Sequence, residues 1–258
     1  MSLDGVRFAQ LEQGLRRLKL RRIREVLDER NQVAVESQCS YLEFLADLVQ
    51  DEVNARDATQ YQKRLKAARL PDRKTIEEFD FGFQTSISRQ QVLELARLRF
   101  VAAKENLVLC GPPGTGKSHL AKALLLKALE AGYSGLFITA QDLVEDLYAS
   151  LADGTLRSRL RSLQRLDLLV MDELGFTSLD NTASNHLFQV VAHAYEVRSL
   201  VITSNRSFQD WGTVFATPTI ATAVLDRLLH HVHILNLQGE SYRLKGSLPP
   251  TSDQPGPG

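Results

Sequence analysis

Cysteine is nearly missing from this chain of 258 residues: Cys39 and Cys110 stand far apart, and Cys110 sits in an apolar run that reads as a buried strand. Two such residues do not frame a disulfide-stapled domain, so a reduced, cytoplasmic setting is the default expectation. No stretch approaches the roughly 18 uninterrupted apolar residues of a membrane helix. The start, MSLDGVRFAQ, lacks the cationic end and apolar stretch of a secretory leader. A soluble, intracellular protein without a membrane partner is expected. Charge of one sign is missing as well, since 31 Lys+Arg offset 31 Asp+Glu. That excludes a polycation, and any nucleic-acid binding must come from local positive patches. Internal repeats are absent. What remains is 43% hydrophobic and 24% charged, ordinary for one or two core-forming domains.

Residues 1–70 read as a small helical domain. Leu11, Leu15, Leu18, Ile23 and Val26 recur at three-to-five spacing, and Leu42, Leu45, Val49 and Val53 do so after Ser40 as a cap. The first helix carries Arg16, Arg17, Lys19, Arg21, Arg22 and Arg24 with no acid inside that window, and the second ends in Lys63, Arg64, Lys66 and Arg69. Pro71 and Asp72 break the helix, and residues 71–87, with Phe79, Phe81 and Phe83, read as a linker that packs onto the next domain. From 88 to 248 helices alternate with short apolar strands, which predicts an α/β domain with a parallel sheet flanked by helices. The strands are expected at 107–110, 135–139, 168–172, 200–204 and 233–237, with helices at 117–131, 141–150, 155–166, 183–197 and 218–231. Residues 249–258 are rich in proline and glycine and read as a disordered tail.

Residues 111–118, GPPGTGKS, match the phosphate-binding loop and stand between a strand and a helix, where that loop works. Gly111, Pro112, Pro113, Gly114, Thr115 and Gly116 form the loop whose amides would face the phosphates of ATP. Lys117 would reach the β and γ phosphates, and Ser118 would ligate Mg2+. The strand LLVMDE at 168–173 then ends in two acids. Asp172 would hold the magnesium through water, and Glu173 would act as general base on the attacking water. The sequence between the motifs leaves room for one strand, at 135–139, so the acid-bearing strand need not adjoin the loop-bearing one. That arrangement belongs to hydrolases doing mechanical work more than to small-molecule kinases. Glu173 and the lack of an Arg-rich lid after it argue further against a kinase, while a nucleotide-gated scaffold without turnover stays open. In LVITSN, Asn205 would orient the same water or sense the γ phosphate, or else cap the following segment. His230, His231 and His233 invite a metal, but adjacent histidines are expected to point apart and no cysteine is near, so none is assigned. Trp211 reads as packing in a turn.

Five segments together resemble the IstB-like transposition helper ATPases of the AAA+ class, relatives of the DnaC and DnaI helicase loaders: GPPGTGKSHLA at 111–121, DLLVMDELGF at 167–176, ITSNRSFQDWG at 202–212, LDRLLHH at 225–231 and GESYRLK at 239–245. The N-terminal helices and the FDF of the linker also look like that family's front end. Ser118 stands where threonine is more usual and Phe176 where tyrosine is frequent, and neither change removes a needed group. The resemblance implies an AAA+ P-loop ATPase that oligomerises on duplex DNA through largely backbone contacts, deforms it and stimulates a partner transposase. A DnaC-like loader of a replicative helicase is the alternative. It also implies nucleotide between subunits, with Arg227 as the finger reaching the neighbour's site, or else a helix-surface arginine paired with Asp226. Arg243 would be a sensor of the γ phosphate or an edge-strand charge, and His119 would flank the nucleotide. Arg16, Arg17, Arg21, Arg22 and Arg24 would supply part of the DNA patch, or dock a partner.

Overall fold

The computed structural model describes residues 3–245, and the tail at 249–258 lies outside them. Two compact units divide between Lys63 and Arg64. In the first, the stretch read above as one basic helix is two, α1 (Leu3–Arg17) and α2 (Arg21–Ser37). Lys19 turns to φ 57° between them, and Leu20 offers α2 no side-chain cap. The cap comes from α3 (Tyr41–Ala67). There Glu52 accepts the backbone N–H groups of Arg22 at 2.7 Å and Ile23 at 3.2 Å, meeting first-turn amides that have no partner within the helix.

Ser40 and Glu43 do cap α3 reciprocally: the Ser40 N–H donates to Glu43 at 2.7 Å and the Glu43 N–H to Ser40 Oγ at 3.3 Å. The core of this unit is Leu15, Ile23, Val26 and Leu48. Leu42, Leu45, Val49 and Val53 are exposed instead. α3 is apolar on two faces, and the regular spacing picked out the one turned to solvent, while Phe44 and Leu48 turn inward.

In the second unit, α4 (Arg89–Leu95) and α5 (Arg99–Ala102) precede an alternation of strands β1 (Asn106–Cys110), β2 (Gly135–Thr139), β3 (Leu168–Leu174), β4 (Ser199–Ser204) and β5 (Val232–Asn236). The helices between them are α6 (Lys117–Glu130), α7 (Ala140–Ala152), α8 (Leu156–Gln164), α9 (Asn181–Ala194) and α10 (Pro218–Leu229). All strand pairings are parallel, in the order β2-β3-β4-β1-β5. Every residue of β1 and of β4 is buried, so both faces of the sheet are covered. On one face Val108, Ile138, Met171 and Ile202 pack with Leu143, Leu187, Val191 and Val224.

The strand order corrects one expectation. The strand between the loop-bearing β1 and the acid-bearing β3 is β4, and β2 lies at the edge. Chain order placed β2 between the motifs in sequence, whereas the crossover through α9 returns the chain to the other side of β3. The carboxyl ends of β1, β4 and β3 therefore stand side by side, the topological position where open α/β sheets bind ligands.

Candidate nucleotide site

The loop at 111–118 leaves β1 and enters α6 at Lys117. Gly114 and Gly116 take φ 79° and 98°, left-handed values that side chains disfavour. Space is closed there too: a Cβ on Gly114 would stand 1.9 Å from Ser241 Oγ, and one on Gly116 2.5 Å from the Phe79 ring. The Lys117 ammonium turns over the loop and donates to the carbonyls of Gly111 and Pro112, each at 2.7 Å. Burial pushes its pKa down, with Arg243 adding to that effect and Asp172 opposing it.

The two acids at the end of β3 part company. Asp172 is 5% exposed, and its Oδ1 accepts hydroxyls from Ser118 at 2.8 Å and from Thr203. Glu173 turns outward on φ 62°, at an irregularity where the register against β4 shifts between Met171 and Leu174. Its N–H donates to Thr203 Oγ1 at 2.9 Å. Among the described residues its carboxylate has no hydrogen bond or ion pair. A left-handed non-glycine residue costs on the order of 1–3 kcal/mol and persists where surroundings over-determine it. Thr203, which bonds both acids' residues at once, was not singled out from the sequence. It lies in LVITSN, two positions before Asn205, and a hydroxyl inside an apolar strand was the available signal.

The segment at 71–87 belongs to the second unit and wraps the loop. Gln84 donates to the Thr115 carbonyl at 3.1 Å, His119 Nε2 meets the Thr75 carbonyl oxygen at 2.7 Å, and Lys122 pairs with Asp72. On the other side Tyr242 N–H donates to Gly114 O at 3.0 Å, and its ring meets Phe83 edge-on at 5.2 Å. Between these walls lies a cavity of about 410 Å³ bordered by Phe79, Phe83, Gly116, Lys117, Tyr242 and Arg243, a volume in the range that holds small organic ligands.

Of the remaining candidates, Asn205 is exposed directly after β4, the strand flanked by β3 and β1. Arg243 stands on a 3₁₀ turn at Tyr242–Leu244, not on an edge strand. Arg227 lies on α10, away from the cavity's lining. Among the described residues it pairs with neither Asp226 nor another acid, and its guanidinium lies 4.9 Å from the centre of the Phe188 ring while donating to Ala223 O at 2.9 Å. Trp211 is buried, its indole N–H donating to Ser204 Oγ at 3.3 Å. The histidines depart from expectation: the rings of His230 and His231 do not point apart but meet at 4.2 Å.

A parallel sheet of this order, with a phosphate loop after its inner strand β1 and an acid pair at the end of β3, is the fold of an AAA+ P-loop ATPase. The solved structure of the DnaC helicase loader shares it at a TM-score of 0.52 and 21% identity, covering 63% of this chain and 96% of that one. The profile of IstB-like ATP binding proteins matches residues 13–249, and the chain belongs to that family. It is 44% identical to the insertion sequence IS5376 ATP-binding protein of Geobacillus stearothermophilus, over 80% of this chain and 82% of that protein. To the insertion sequence IS21 ATP-binding protein of Pseudomonas aeruginosa it is 42% identical, over 92% and 89%.

Proposed function

We propose that this chain hydrolyses ATP with magnesium, uses ATP to assemble with copies of itself on duplex DNA, deforms that DNA and presents it to a transposase. The observation carrying the ATPase part is the parting of the acids, Asp172 buried under two hydroxyls and Glu173 turned out on a strained bulge with a free carboxylate. A carboxylate and a hydroxyl 2.8 Å apart suit a hard cation that keeps several waters, so Ser118 and Asp172 would hold magnesium. The ion, when bound, would offset the negative charge of the phosphates. Lys117 grips those phosphates, Glu173 takes a proton from the attacking water, and Asn205 orients it. His119 anchors the wall of the cavity through Thr75, Arg243 adds positive charge beside Lys117, and Arg227 of an adjacent copy completes the site. Phosphate release from ATP by the purified chain, measured with and without duplex DNA, tests the reading; no release refutes it.

Several N-terminal arginines are neutralised locally: Arg16 by Glu12 at 2.6 Å, and Arg21 and Arg22 by Glu25 at 2.8 and 3.7 Å. On α8 the acid-free sequence LRSRLRSLQ buries Leu163 and packs Leu156 and Leu160 inward. Arg159 is taken by Asp146, while Arg157, Arg161 and the following Arg165 have no ion pair among the described residues. Spaced four apart, these three rise about 6 Å per step along one face, a stripe fit for phosphates rather than base edges. Replacing all three by alanine is expected to lower the log–log salt slope of DNA binding by about 0.9 per arginine. The same loss from R17A/R24A, with the α8 variant unchanged, would move the surface to the N-terminal unit.

A loader of a replicative helicase is the second reading, favoured by the shared fold with DnaC. Preference for single-stranded over duplex DNA, together with capture of a replicative helicase, would decide for it.

A further inference from the structure

α10 ends at Leu229, and His230, its C-cap, keeps helical dihedrals of φ −58° and ψ −45°. Its ring thereby stays beside that of His231, the two planes inclined at 75°. His233 leaves the group and bonds Glu105 at 2.7 Å. From the turn between α9 and β4 comes Glu196, held at φ 57°. One ligand atom from each of Glu196, His230 and His231 lies within 4.8 Å of the other two, and all three residues are exposed. We propose that Glu196, His230 and His231 form a binding site for a borderline divalent transition metal, zinc being the reference ion.

Two imidazole nitrogens and one carboxylate oxygen are a zinc donor set, and an exposed position leaves the fourth coordination place to water. Metal–ligand lengths of about 2.0–2.2 Å put neighbouring ligand atoms roughly 3.4 Å apart. Small rotations of three solvent-facing side chains close the difference. Copper and nickel fit the same donors by the usual affinity order, whereas magnesium and calcium take oxygen ligands, so this site and the nucleotide's magnesium draw on different ions.

A supporting partner is present. Tyr195 Oη lies 3.2 Å from His230 Nδ1, and the two rings meet at 5.5 Å. The Tyr195 hydroxyl also shares a hydrogen bond with Glu196. With His230 Nδ1–H donating to Tyr195 Oη and the tyrosine donating to Glu196, His230 Nε2 keeps its lone pair for the metal, the outer-shell pattern that fixes ligating histidines. Asp226 and Arg227 also act electrostatically on Tyr195, and Arg227 precedes the histidines on α10. A metal here pins the end of that helix to the α9–β4 turn. The site lies by the amino ends of β4 and β5, while the phosphate loop follows the carboxyl end of β1, so metal and nucleotide occupy opposite ends of the parallel strands.

Calorimetric titration of the untagged full chain with zinc chloride, without chelator or nucleotide, tests this, with cobalt absorption reading the ligand geometry. One equivalent is expected to bind. H230A/H231A should abolish it, Y195F should weaken it about tenfold, and H233A should leave it unchanged. The three histidines are exposed and Tyr195 is half-buried, and matching thermal unfolding curves would show that the variants fold. A double variant that still binds one equivalent, or a wild-type chain that binds none, overturns the proposal.

Discussion

Replacing Glu173 by Gln is expected to lower ATP turnover by about 100- to 10,000-fold, the usual contribution of a positioned general base, while ATP still binds. The substitution is clean in structural terms. The side chain is exposed and its carboxylate has no partner among the described residues, so no buried group is orphaned, and the backbone bond to Thr203 Oγ1 at 2.9 Å is untouched. Glutamine adopts the φ of 62° at the same cost as glutamate. Single-turnover phosphate release and equilibrium ATP binding, measured side by side, give the split. A companion, E173G, separates strain from chemistry. It should lose turnover to the same degree yet gain on the order of 1 kcal/mol or more in stability, because glycine accepts the left-handed conformation. Turnover unaltered in E173Q would leave a nucleotide-gated scaffold as the better description.

The parts of this fold that are local in sequence are legible without coordinates. GPPGTGKS carries its own loop geometry, and the apolar runs at 135–139, 168–172 and 200–204 become strands because β-rich segments between helices have few other places to go. What could not be seen depends on partners far along the chain. The start of α2 at Arg22 is capped by Glu52, thirty residues away; the order of strands depends on where α9 returns; and the outward turn of Glu173 depends on Thr203 across the sheet. α3 misled because both of its faces are apolar, and periodicity alone does not say which one meets the core. The basic stripe on α8 was missed for a different reason. Counting arginines favoured the N-terminus, and only coordinates show which of them already have carboxylates.

Replacing Lys117 by Met should remove ATP binding at its source. Losing a buried cation that faces phosphate costs about 2–5 kcal/mol, or roughly 30- to several-thousand-fold in affinity. The fold itself should tolerate the change. Burial holds the Lys117 pKa down, so the folded chain binds that proton less tightly than the unfolded chain, and the charge destabilises the native state at neutral pH. Methionine keeps the stem's packing and discards that cost, while the Gly111 and Pro112 carbonyls lose their 2.7 Å donor. The two effects oppose each other, so the thermal midpoint without nucleotide should stay near wild type. The ATP-induced gain, about 2.7 kcal/mol at a hundredfold excess over the wild-type Kd, should fall to about 0.9 kcal/mol or less at the same ATP concentration; a full upshift in K117M would remove Lys117 as the phosphate ligand. The variant also tests the link to DNA. On the proposed reading, three arginines of one copy would hold a phosphate backbone weakly at physiological salt, so retention would depend on joining several copies. If ATP occupancy rather than hydrolysis joins them, E173Q should hold DNA with ATP and K117M should release it, and equal retention by both would uncouple assembly from the nucleotide.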